Sequence, residues 1–172
     1  MTSNITDIDF FHNETVVKSR LFGICDDEDS TVKTPAYYDE DERNENMWGA
    51  RVTNNSTKDI SFIAVDNAIE IRRENGDMES RCDAMLHNDE NIIFVELKDQ
   101  RENWIEHAVN DQLLTTVNVF KKCYDINTFR HRVAYACNKK HPMFAKSHKT
   151  MMQKFKNEHG VRLVICRDIV IK

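Results

Sequence analysis

The segment RCDAMLHNDENIIFVELK, residues 81–98, joins a continuous apolar run to a pair of charges, and that combination constrains the fold more than any other stretch. Side chains alternate across a strand, so Ile92, Phe94, Glu96 and Lys98 share one face while Ile93, Val95 and Leu97 share the other. A carboxylate and an ammonium at the end of a hydrophobic strand are costly to bury unless they pair, bind a metal or line a cleft. Whatever this chain folds into must therefore bring something polar to positions 96 and 98.

Asp83 is the first candidate. It stands near the end of the preceding strand, and a tight hairpin would place its carboxylate beside Glu96, since paired residues lie about 5 Å apart. Two carboxylates that close repel one another unless a cation shares them, and oxygen ligands suit Mg²⁺ or Mn²⁺ rather than zinc. With the backbone carbonyl of Leu97 they form a metal set coherent for phosphodiester hydrolysis, in which Lys98 orients the nucleophile or stabilises the transition state. The plain alternative is a Glu96–Lys98 salt bridge on an edge strand. Gln112 supplies a separate signal: at 100° per residue it falls inside the apolar stripe of Ile105, Val109, Leu113, Thr116 and Phe120, so its amide points inward and needs partners. A metal-bound water or the lysine would satisfy it, as would a core backbone group.

The rest of the chain reads as one domain of residues 1–172, long enough for a single core. Residues 6–22 carry a helical pattern ending near Gly23, and an acidic loop follows over 26–45, with a second helix around 40–52. From Ile60 the period becomes that of strands: ISFIAV, then NAIEIRR, an Asn75-Gly76-Asp77 hairpin turn, a returning strand through 78–86, a turn at 87–91, and the strand to Lys98. This predicts an antiparallel meander. Residues 99–122 read as one long helix, with Asp99 and Glu102 at capping-box spacing. A strand over 132–137, a basic loop, a helix over 149–159 stopped by Gly160 and a last strand over 162–166 complete the chain. The expected architecture is α/β, a central mixed sheet flanked by helices, with a core of about 60–138, a helical and acidic segment before it and a basic extension over 139–172.

Charge is distributed unevenly. From Lys121 onward there are 13 Lys or Arg against 3 Asp or Glu, about +10, whereas the first 120 residues hold 11 basic and 26 acidic groups, about −15. A basic third of this kind suits a phosphate-binding surface, and a solvated face whose charges attract the acidic half is the competing account. Within it, Lys139, Lys140, Lys146 and Lys149, interleaved with His141, Phe144 and His148, are the best placed for nucleic-acid backbone contacts. The five cysteines are scattered with no Cys-x-x-Cys, which argues against a disulfide framework or a zinc ribbon and points to a reducing cytoplasm. No apolar run is long enough for a membrane span.

Asp83, twelve residues, then Glu96-Leu97-Lys98 closing an apolar strand, followed by a helix with an inward Gln112 and the strand RVAYAC, resembles the PD-(D/E)xK nuclease superfamily, the restriction-endonuclease-like fold. The likeness covers about 60–138 and rests on order and spacing. It implies an αβββαβ core and a Mg²⁺- or Mn²⁺-dependent nuclease, with DNA the favoured substrate. By the same likeness Asp83 and Glu96 are metal-binding acids, Lys98 the catalytic lysine and Gln112 the helix glutamine. Cys82 stands where the family pattern has Pro, and for the further acid often carried by a first helix, Glu45 and Glu42 are the candidates. A nuclease-like module that no longer cuts and acts through a protein partner, as an immunity or regulatory subunit, is the rival expectation. A second copy of the chain is a further partner class, as is an assembly role in which the acidic half binds a neighbour's basic half.

Overall fold

The computed structural model describes residues 5–27, 31–100, 102–140 and 148–172. Its strands are β1 (Thr15–Val17), β2 (Leu21–Cys25), β3 (Tyr37–Asp39), β4 (Ala50–Asn54), β5 (Ile60–Ala64), β6 (Ala84–His87), β7 (Asn91–Lys98), β8 (His131–Asn138), β9 (Arg162–Ile165) and β10 (Asp168–Ile171). Two α-helices, α1 (Leu114–Cys123) and α2 (Lys149–His159), accompany them. Six strands form one mixed sheet in the order β1-β5-β6-β7-β8-β9, antiparallel from β1 to β7 and parallel from β7 to β9. The other four form a second sheet, β10-β4-β2-β3, in which β10 runs parallel to β4.

β7 is central because its sequence allows no other place. Seven of its eight residues are buried, and parallel pairing to β8 with antiparallel pairing to β6 satisfies both of its edges. The alternation read from the sequence holds: Ile92 and Phe94 enter the core under the helices, with Phe120, Trp104 and Phe155, while Ile93, Val95 and Leu97 enter the core between the sheets, with Phe22, Ile24 and Val52. The molecule is therefore three layers, helices on sheet on sheet. One face of the central sheet is covered by helices as expected, but the other is covered by the second sheet, which corrects the expectation of helices on both.

That second sheet is built from the two ends of the chain. The helix expected over 6–22 is instead a single 3₁₀ turn, Ile5–Asp7, followed by β1 and β2, whose β-branched residues at 15–17 pair with β5. Phe10 and Phe11 still pack as an apolar pair, edge-on to Phe120. The helix expected over 40–52 is a 3₁₀ segment, Glu42–Met47, capped by Asp41 and giving way to β4. β10, which the sequence reading passed over, joins β4, and Arg167 donates to the carbonyls of Trp48 and Glu45. Trp48 is wholly buried where the two ends meet, its indole N–H donating to Asp39 at 3.0 Å. Only a glycine at 23 allows this, because a Cβ there would lie 2.0 Å from the indole ring.

The meander is present as β5, β6 and β7, with a wide excursion between the first two. The Asn75-Gly76-Asp77 turn forms, with Gly76 at φ +90°, but the runs flanking it pair through a single bridge, Arg72 to Met78. Asn67, at φ 59°, and a tight turn from Val65 to Ile69 break the extended backbone that NAIEIRR would need. The long helix expected from 99 begins only at Ile105, passes through a π-helical stretch at His107–Leu113, and continues as α1. Asp99 does not cap it; its carboxylate faces Lys140 at 3.5 Å. Helix α2 ends at Gly160 in the left-handed conformation, φ +68°, as its sequence predicts. Among the described residues no helix is long and apolar enough to cross a membrane.

Candidate active site

Topology brings one set of strand ends together. Because β5, β6 and β7 alternate in direction, the end of β5, the start of β6 and the end of β7 lie on the same edge of the six-stranded sheet. Asp83 immediately precedes β6, and Glu96 and Lys98 close β7.

Asp83 sits in a bend. Cys82 and Met85 both enter the core under the helices although three positions separate them, so the alternation of a regular strand is broken between them. The bend lets the Asp83 carboxylate reach along the edge of β7, where Oδ2 accepts the Leu97 N–H at 2.7 Å. In an extended strand the N–H and C=O of one residue point the same way, so the Leu97 carbonyl also faces the Asp83 side. The neighbouring Lys98 carbonyl faces the other way and accepts Lys139 N–H at 3.0 Å.

Glu96 is 1% exposed and Asp83 7%. Lys98 Nζ stands 3.0 Å from Glu96 Oε1, and Glu96 Oε2 is buried with no hydrogen-bond partner among the described residues. Burial pushes the Asp83 carboxyl up to about 7, and the charges of Asp26 and Asp66 push the same way against the Leu97 N–H and Lys98. Glu96 is raised well above the usual carboxylate range, first by burial and then by the charge of Asp83, with Lys98 opposing.

The helix layer closes the site from one side. Thr116 on α1 accepts the backbone N–H of Cys82 at 2.8 Å and donates to the carbonyl of Gln112 at 2.8 Å, which ties the residue beside Asp83 to the π-helical stretch. Gln112 is half-buried, and its Oε1 is buried and unpartnered among the described residues. The inward amide is thus present, without the backbone partner that an ordinary core glutamine would find.

The sequence reading missed Asp26 and Asp66. Asp66 follows β5, accepts an ion pair from the largely buried Arg81 at 2.9 Å, and its charge reaches both Asp83 and Asp26. Asp26 follows β2; burial raises its carboxyl, Asp66 adds to this, and Lys98 opposes. Both acids come directly after an apolar strand run, a signal visible in GIC-Asp and FIAV-Asp. Glu45 does not join them: its carboxylate is held by Arg51 Nε at 2.7 Å, and it is not among the charges acting on Asp83 or Glu96. The acids acting on Asp83 are Asp26 and Asp66.

Beside the pair lies a pocket of about 210 Å³ lined by Asp26, Asp27, Leu97, Lys98, Asp99 and Lys139, among others. Of the four lysines expected to meet nucleic acid, Lys139 lines this pocket and Lys140 is paired with Asp99. Lys149 opens α2 at a shallow surface depression, and Lys146 lies outside the described residues.

The donor set fits a hard divalent ion. The Asp83 and Glu96 carboxyls, the latter with its orphaned Oε2, and a backbone carbonyl turned to the same side are all oxygens, and Mg²⁺ is commonly held by one or two carboxylates with water or phosphate completing its shell. Among the described residues no three His, Cys, Asp or Glu side chains converge as a ready-made metal cluster. Comparison with family models, with curated protein sequences and with solved structures finds no match to this chain.

Proposed function

We propose that the chain is a divalent-metal-dependent nuclease that hydrolyses phosphodiester bonds, in DNA by preference, with Mg²⁺ or Mn²⁺ held by Asp83 and Glu96. The observation that carries this reading is the convergence, at one sheet edge, of two buried carboxyls with Lys98 and an unpartnered Glu96 oxygen. The succession of β5, β6 and β7, a helix and then β8 supports the likeness to the PD-(D/E)xK, restriction-endonuclease-like core; the second sheet lies outside that pattern.

When bound, the cation would supply Lewis-acid polarisation of the phosphate and a more acidic water. Asp83, fixed by the Leu97 N–H, and Glu96 would hold it, with the Leu97 carbonyl on the same side. Lys98 would offer its ammonium to the charge that develops on the phosphate oxygens, where a fixed cation in a dry site is worth most. Gln112 offers its amide to water or to Lys98 from the helix side. The test is conversion of supercoiled plasmid in Mg²⁺ or Mn²⁺: the parent protein nicks or linearises it and Lys98→Ala does not. Equal behaviour of the two ends the proposal.

The Lys98–Glu96 ion pair is complete without any metal, and it favours a second reading, a nuclease-like binding module acting through a protein partner. Calorimetry with Mn²⁺ separates the two. The enzyme requires an affinity that Asp83→Asn abolishes, and the binding module requires none.

A further inference from the structure

At the opposite end of β7 and β8 lies a cleft of about 440 Å³ whose lining includes Arg130, His131, Arg132, Lys156, Arg162 and Lys172 and no acidic residue. Four elements supply these side chains. Arg130 and the first residues of β8 form one wall, Lys156 comes from α2, Arg162 opens β9, and Lys172 follows β10. In a chain of net charge −5 this is a concentration of one sign. None of the five Lys and Arg makes an ion pair among the described residues. Arg132 donates to the neutral Asn127 at 3.0 Å, and the nearby acids are engaged elsewhere: Glu90 faces Lys58 at 3.8 Å, and Asp125 accepts the Asn127 N–H. Lys121, whose ammonium donates to the His159 carbonyl, adds its field from the adjoining depression and feels that of Arg132.

Unpaired cations gathered in a concave surface repel one another, and an anion relieves that repulsion. Three of the five are arginines, whose planar fork suits phosphate oxygens. We propose that this cleft binds the phosphate backbone of a nucleic acid at a distance from the catalytic pair. The choice of a polynucleotide, rather than another polyanion, rests on the nuclease reading above; the existence of an anion site does not. Asn91 in the cleft and Lys98 at the pair are seven steps apart on one strand, about 23 Å at roughly 3.3 Å per residue. A phosphate row rises about 3.4 Å per step, so only a nucleic acid longer than about seven nucleotides can engage both.

The experiment is fluorescence anisotropy of labelled 6- and 20-base-pair duplexes with the full chain in EDTA, where no cleavage occurs, over 50–200 mM salt. The exposed pair Lys156→Gln/Arg162→Gln is compared with Lys18→Gln/Arg43→Gln, an equal charge loss at ion-paired sites in the acidic half. The cleft variant should bind the 20-mer more weakly and lower the salt exponent by about 1.8, so that it loses about tenfold less affinity over that salt range than the parent. The control should leave the exponent unchanged, and the 6-mer should bind the parent less tightly than the 20-mer. An unchanged exponent in the cleft variant, or an equal fall in the control, overturns the proposal. Displacement of the 20-mer by polyglutamate at equal charge concentration, or cleft-dependent binding of inorganic pyrophosphate without cleft-dependent binding of the duplex, also overturns it. Plasmid cleavage that depends on Lys98 with no cleft effect would remove this inference alone. Cleft-dependent binding with no cleavage by any protein would remove the nuclease reading and leave the binding site standing.

Discussion

The two ends of β7 hold charge in opposite ways. At Lys98 the charges are few, buried and mutually satisfied in part: Glu96 and Asp83 are nearly inaccessible, one lysine serves them, and one carboxylate oxygen has no partner among the described residues. At Asn91 the charges are many, of one sign, and apart from the half-buried Arg132 and His131 stand in solvent. Desolvation dominates the first end and screening the second. A charge therefore means different things at the two places: buried charge perturbs proton affinity and stability strongly, whereas exposed charge acts on ligands at a distance and hardly touches the fold.

The sharpest break between the ends is catalytic. Lys98→Ala is expected to lower plasmid cleavage by at least about 10²–10³-fold, the usual loss when a fixed group that stabilises transition-state charge is removed. Duplex binding in EDTA should change far less, and anisotropy on the same preparation checks this. Next comes the metal: Glu96→Gln should weaken Mn²⁺ binding by about 100-fold or more by calorimetry, since even outer-shell partners contribute 10–100-fold.

Stability gives the third contrast. A carboxyl whose folded value lies near 7, above its unfolded value near 4, binds more protons folded than unfolded, so the metal-free protein loses stability as pH rises from about 4 through 7. The loss should reach a few kcal/mol at about 1.4 kcal/mol per unit, and thermal melts at pH 5 and pH 8 in EDTA measure it. Asp83→Asn should flatten the profile, and a profile already flat in the parent would contradict the burial argument. Lys98→Met belongs to the same comparison, since it leaves two buried carboxyls without their cation and should cost up to about 3 kcal/mol. The smallest effect is at the other end: Lys156→Gln should shift stability by no more than about 0.5 kcal/mol at any of these pH values.

How much of this could be read from the sequence follows the same division between local pattern and long-range contact. β7 was legible because its alternation is local and its two charges sit where the apolar run stops, and the π-helical stretch did not hide Gln112, because the apolar stripe on either side still marks the inward face. Strands β1, β2 and β4 were not legible: Ile8, Phe11 and Val16 lie at helical spacing, and only pairing of β1 with β5, of β2 with β3 and β4, and of β4 with β10 decides for extended backbone. Asp26 and Asp66 were missed because their place beside Asp83 depends on a sheet edge assembled from segments 17 and 57 residues away from it, although each directly follows an apolar strand run. The basic cleft was invisible for the same reason. A linear count favoured the lysines at 139–149, whereas the cations that share a concave surface come from four elements.

The π-helical stretch at His107–Leu113 has a consequence for length variation in the chain. Buried positions along this helix are Ala108, Val109 and Leu113 in the π-helical stretch and Thr116, Val117, Val119 and Phe120 in α1. A wide turn of this kind behaves as one residue inserted into an α-helix. Deleting a single residue between 107 and 111 should therefore be absorbed as an ordinary α-helical turn, leaving α1 seated by Val117 and Phe120. The part of the helix before the deletion would turn by about 100° relative to the part after it. The protein would still fold, with Gln112 kept in place because Thr116 on α1 donates to its carbonyl, so one amino acid of length in this helix decides only how Trp104 and Ile105, before the deletion, meet the core.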